Sequence, residues 1–137
     1  SRMRFRAAVV IGNRKGKVGL GLGKSGEVQG AIQKAVAQAK KHMIRVPLQD
    51  DTIPHEVDCK HKSARIRLLP ASAGTGIIAG GALRPILDLA GVKNVLSKRY
   101  GTANVLVNAQ AAMAALGGLR KPKGGIKEEK EEEAVAV

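Results

Sequence analysis

Few residues in this chain have the types and spacing for covalent or metal chemistry. His55, Cys59 and His61 come nearest to a metal set. On an extended strand they would share one face, with neighbouring donors about 13 Å and about 7 Å apart at ~3.3 Å per residue. Zinc takes its donors at about 2.0–2.3 Å, so the strand would have to fold back, and a fourth ligand is not obvious. Gly21-x-Gly23-x-x-Gly26 matches the dinucleotide fingerprint letter by letter. That fingerprint works in a buried parallel βαβ unit, whereas here the strand reads as half of an antiparallel hairpin. Gly23-Lys24-Ser25 resembles the end of a phosphate-binding loop, but the loop's first glycine would fall at Val18, and Gly19 is one residue off. No spacing links Ser, His and acidic residues into a catalytic set. The expectation is no enzyme, no metal and no cofactor. A nucleotide-dependent enzyme using Gly21 to Gly26 stands as the contrasting class.

The chemistry that remains is charge. The 137 residues carry a formal +13, which points to a polyanionic partner. From Ser1 to Arg45 there are eleven Lys and Arg against Glu27 alone, so the attractive field is concentrated in the first third. Phe5 and Tyr100 are the only aromatics. Base stacking is therefore not the main mode, although Lys15 to Leu20 has the spacing of an RNA-recognition strand. Contact to phosphate and ribose is left. Cys59 is the single cysteine, so no internal disulfide is possible and a reducing, cytoplasmic compartment is the simple expectation. The run from Ala7 to Ile11 is too short for a signal-peptide core or a membrane span.

The elements that must position those cations centre on Arg14 to Ser25. Val18, Leu20 and Leu22 alternate with Gly19, Gly21 and Gly23. A strand there has one apolar face and one face with no side chains, where a helix or another backbone must come close. With Arg14, Lys15, Lys17 and Lys24 around it, we expect the bare face to lie against phosphate. Met3 to Ile11 and Lys17 to Leu22 read as a hairpin with a cationic tip at Gly12–Gly16. Ser25 reads as the cap of a helix whose apolar stripe is Val28, Ala31, Ile32, Ala35, Val36, Ala39 and Met43. Lys40 and Lys41 close that helix, either as a solvated end favoured by the dipole or as an RNA contact.

A domain boundary is expected near Val46. Strands are expected at Thr52–Val57 and Ala64–Leu69, then a glycine-rich loop from Gly74 to Gly81. A helix follows from Leu83 to Ala90 with Gly91 as its cap. A strand at Val92–Tyr100 and a helix capped by Asn104 or Asn108 complete the pattern, and Gly117-Gly118 stop the last helix. Residues 121–137, with K-E-E-K-E-E-E, read as a charged, disordered tail.

The motifs R-F-R-A-A-V-V-I-G, G-K-V-G-L-G-L-G-K-S, P-A-S-A-G-T-G-I-I-A-G-G-A-L-R and L-D-L-A-G-V-K-N-V-L-S-K-R-Y-G stand in this order. In them the chain resembles bacterial-type small-subunit ribosomal protein family five from about Ser1 to Leu116. The resemblance implies an α+β fold in two domains. Residues 1–46 would form a double-stranded-RNA-binding-like domain. Residues 47–120 would form a β-β-α-β-α domain with a left-handed crossover. It further implies a structural constituent of the small subunit that binds ribosomal RNA, touches proteins four and eight, lies near the messenger path and supports decoding accuracy. A free-standing double-stranded-RNA-binding protein is the alternative.

Carried over by position, Arg2, Arg4, Arg6, Arg14, Lys15, Lys17, Gly19, Gly21, Gly23, Lys24, Lys40 and Lys41 would face RNA. Gly76, Gly80, Gly81 and Arg84 would face a protein neighbour, although Arg84 also fits a solvated helix start. The family has an earlier strand before the position of Ser1, so the first sheet is expected to expose an edge.

Overall fold

The computed structural model describes residues 4–102 and 104–119, together with the backbone of Glu133–Ala136. Strand β1 (Phe5–Gly12) pairs antiparallel with β2 (Lys17–Ser25) over its whole length, and helix α1 (Val28–Lys41) crosses back over the pair. A three-residue strand, β3 (Met43–Arg45), pairs with the start of β2. The second sheet holds β4 (Val57–His61), β5 (Ala64–Pro70), β6 (Ile77–Ile78) and β7 (Val95–Gly101) in the order β4-β5-β7-β6. Helix α2 (Leu83–Ala90) connects β6 to the parallel β7, and α3 (Val105–Gly117) follows. Strand β8 (Glu133–Ala136) lies antiparallel to β1 at Val9–Gly12.

Why α1 sits where it does can be read from spacing. Its buried residues are Ala31, Ala35 and Ala39, one every four positions, a rise of about 6 Å. Along β2 the glycines recur every two positions, about 6.7 Å. The two rows match in antiparallel order. A Cβ on Gly23, Gly21 or Gly19 would collide with the carbonyl oxygen of Ala31, Ala35 or Ala39 respectively. Only glycine against alanine lets the backbones approach this closely. The broader stripe expected for α1 is correspondingly narrowed, and Val28 and Ile32 are left 52% and 40% exposed.

The other face of the β1–β2 pair meets the second sheet's helices. Val10 and Val18 belong to the same core as Val46, Ile66, Leu87 and Leu116. Val9 and Ile11 point the other way and pack with Ala35 and Ala39. The apolar core is thus continuous across residue 46, where the sequence suggested a boundary, and Val46 itself is fully buried.

Several expected elements move. Ser25 is the last residue of β2; Glu27 is the α1 N-cap, and Ser25 Oγ accepts from its backbone N–H at 3.4 Å. The strand expected at Thr52–Val57 forms instead at β4, because Pro54 removes a ladder donor and Lys62-Ser63 supplies the tight turn to β5, with Lys62 at φ 53°. Part of the residue 121–137 segment is not tail. Residues 133–136 form β8, whose backbone meets the free N–H and C=O groups of the β1 edge. Residues 121–132 lie outside the described residues. Helix α2 and its Gly91 cap at φ 96° agree with the sequence reading, and Asn104 caps α3 by accepting from Val107 N–H.

Candidate nucleic-acid interface

Cations meet the surface of the first sheet at its open end. Arg6 on β1 stands directly opposite Lys24 on β2 in the strand register, and both are exposed. Neither is paired with a carboxylate among the described residues. Two like charges at directly opposed positions repel, so the pair favours an anion. Arg4, just before β1, adds a third exposed cation, and Arg2 lies outside the described residues. On the far side of the sheet the Lys34 ammonium donates to the Lys24 carbonyl at 3.2 Å, tying α1 to this end of β2. Lys40 and Lys41 are exposed in the last turn of α1, where the helix dipole also favours them.

The backbone of the hairpin tip has a structural role that the sequence did not indicate. Asn13 is 5% exposed, and its carbonyl side-chain oxygen accepts from Lys15 N–H and Lys17 N–H. Arg14 N–H donates to the Leu89 carbonyl at 2.8 Å, and Gly16 N–H donates to the Ala90 carbonyl at 2.9 Å. The tip therefore satisfies carbonyls at the end of α2 that have no partner within the helix. The Arg14 guanidinium lies 3.5 Å from Asp88 Oδ2. Lys17, three residues further on, is half-buried. Arg14, Lys15 and Lys17 thus sit at the junction of the two sheets, with the tip's backbone committed to α2.

Gly19, Gly21 and Gly23, expected to lie against phosphate, are buried beneath α1. Main-chain approach to nucleic acid on that face is excluded. The reason is the alanine row of α1, which supplies the close-packing backbone from within the chain. Gly21 and Gly23 also belong to a strand whose neighbours, β1 and β3, are both antiparallel, so the dinucleotide-binding βαβ arrangement is not formed.

In the second unit, Gly76 N–H donates to Asn94 Oδ1 at 3.0 Å and its carbonyl accepts from Val95 N–H at 3.1 Å. Gly76 and Gly81 have φ values of 78° and 57°, which only glycine adopts without strain. The Gly80 carbonyl accepts from Leu83 N–H at the start of α2. Arg84 is exposed, and its guanidinium donates to the Ile77 carbonyl at 3.2 Å, holding the loop to α2. These four residues cluster at one sheet edge. His55, Cys59 and His61 do not converge: His55 precedes β4, and His61 Nε2 lies 3.2 Å from Gln110 Oε1. Burial pushes the Cys59 thiol up.

One cluster went unnoticed in the sequence. On the face of the second sheet away from its helices, Arg65 holds Asp58 through two hydrogen bonds, and Arg67 pairs with Glu56. The Arg65 guanidinium also lies 5.8 Å from the Tyr100 ring centre. The hydrogen bond from Arg65 holds the Asp58 carboxyl below the usual carboxylate range. Alternation of Arg65 and Arg67 was the available signal, but their partners come from the neighbouring strands.

Fold and surface together define a basic α+β protein built on two sheets joined through one core. Residues 1–47 match the family model for the N-terminal domain of ribosomal protein S5, and residues 59–130 match the model for its C-terminal domain. The chain belongs to the ribosomal protein S5 family. Relatives include the small ribosomal subunit protein uS5 of Prochlorococcus marinus strain NATL1A, 52% identical over 128 residues, 93% of this chain and 62% of that protein. The uS5 of Synechococcus elongatus is 51% identical over 120 residues, 87% of this chain and 67% of that protein. The chain thus spans about 62% of the length of the first of these relatives.

Proposed function

We propose that this chain is a structural constituent of the small ribosomal subunit that binds ribosomal RNA through the cations at the open end of its first sheet. The observation that carries the reading is its 52% identity to a uS5 over 93% of its length. Arg6 and Lys24, paired with no carboxylate among the described residues and with Arg4 exposed beside them, support an electrostatic, shape-reading grip on phosphate, while Lys40 and Lys41 are exposed at the other end of α1. The loop edge at Gly76, Gly80, Gly81 and Arg84 is the surface for a protein neighbour, small-subunit protein four, with protein eight as a second contact. That interface is where the chain bears on decoding accuracy. The ribosome is then its cellular place.

Sedimentation with small subunits through a high-salt wash tests the assignment. Retention is expected, and release into the supernatant would count against it. The RNA surface is tested separately by Arg6→Glu with Lys24→Glu. The slope of log affinity against log salt should flatten by about 0.7–0.9 for each phosphate no longer neutralised. An unchanged slope would remove both residues from the interface.

A further inference from the structure

Beside Arg6 and Lys24 lies a cleft of about 660 Å³ between the first sheet and the start of α3. Its walls are of two kinds. Ala8 and Leu22 from the sheet and Val105 and Leu106 from α3 are apolar, while Arg6 and Lys24 stand together at the strand ends. Val105 is 49% exposed, a large apolar side chain left in water. The volume falls in the range of small-ligand sites, about 300–1,000 Å³.

A regular duplex would use only half of this site. It presents phosphates to the cations but keeps its bases stacked inside, so the apolar walls would stay wet. An unstacked nucleotide offers both parts at once: a phosphate for the opposed cations and a flat base for Leu22, Val105 and Leu106. Resting on the RNA-binding reading above, we propose that the cleft between β1–β2 and α3 seats a single unpaired nucleotide of the bound RNA, its phosphate between Arg6 and Lys24 and its base against the aliphatic walls. No aromatic lines the cleft, so the base is held by contact area rather than by ring stacking. Discrimination among the four bases is correspondingly weak. The opposed cations with no carboxylate between them select this polyanionic occupant over an acidic, apolar protein segment, because a phosphate bridges both charges at one point.

The test uses the full chain and three RNA hairpins identical but for one position: fully paired, carrying a one-nucleotide bulge, or carrying an abasic bulge. Affinity is read by fluorescence anisotropy at fixed salt. The bulged hairpin should bind about tenfold tighter than the other two. Val105→Glu places a carboxylate in the cleft at a helix start, where the dipole tolerates it. It should erase the bulge preference, read as the ratio of bulged to fully paired affinity within the variant, so that the effect of the added charge on both hairpins cancels. Equal binding of bulged and abasic hairpins, or a preference that survives Val105→Glu, overturns the proposal. A surface that instead loses a ribosomal protein on Val105→Glu, with no bulge preference in the parent, would make the cleft a protein site and overturn it too. Failure of all three hairpins to bind would defeat the RNA reading itself, a distinct result.

Discussion

Glycine does opposite things in the two halves of this molecule. On β2, Gly19, Gly21 and Gly23 have ordinary extended backbone and are chosen for what they lack, since α1 occupies the space a Cβ would need. In the loop before α2, Gly74 and Gly76 have open space around the Cβ position and are chosen for conformation, with φ values of 90° and 78°. The first kind is a packing requirement shared between two elements. The second is a local backbone requirement. A glycine-rich sequence announces neither kind by itself, and the two should respond differently to the same substitution.

The largest effect is expected at Gly21→Ala, where the new methyl meets the Ala35 carbonyl and the Ala39 nitrogen, both backbone. Either α1 lifts or the strand bends, at a cost of about 3 kcal/mol or more. Urea denaturation measures it, and a loss below about 1 kcal/mol would mean the alanine row does not hold α1 down. Gly76→Ala should cost about 1–2 kcal/mol, from left-handed backbone alone. If it costs as much as Gly21→Ala, the distinction between the two glycine classes collapses. Gly26→Ala has neither a positive φ nor any atom within 4 Å. It should be neutral or stabilising by about 0.4–1 kcal/mol through the unfolded chain.

The smallest effect concerns the exposed Asp58–Arg65 pair. Asp58 has a lowered carboxyl pKa in the folded chain, so its contribution is present above the unfolded value of about 3.9. It is lost as pH falls through the folded pKa. Comparing urea midpoints of the parent and Asp58→Asn, a small difference at pH 6 should narrow progressively as pH falls below about 3.9. A gap that stays constant as pH falls would assign the effect to something other than the charge.

What was legible in the sequence was local. The β1–β2 hairpin announces itself through alternation and the Gly12–Gly16 turn, and α2 through a short apolar run ended by Gly91. The sequence narrows the start of α3 to a cap at Asn104 or Asn108, and the bond from Val107 N–H selects Asn104. What escaped was whatever required a partner distant along the chain. The glycine face demanded a close neighbour, and either a helix or another backbone satisfied the pattern. That α1 fills the role depends on two periodicities meeting, which no window on β2 alone contains. The hairpin tip reads as a free cationic loop until Leu89 and Ala90, some 75 residues on, arrive beneath it. The Arg6–Lys24 opposition is implicit in the hairpin register, yet the cleft beside it needs α3, contributed from the other end of the molecule.

The clasp between Asn13–Gly16 and the end of α2 also sets how the molecule comes apart. Its main-chain bonds, together with Val10 and Val18 wedged among α2 and α3 side chains, leave no seam along which one half can melt first. Heat should therefore dissolve the protein in one step, and any load applied to the cationic end of the first sheet is borne by the far sheet as well.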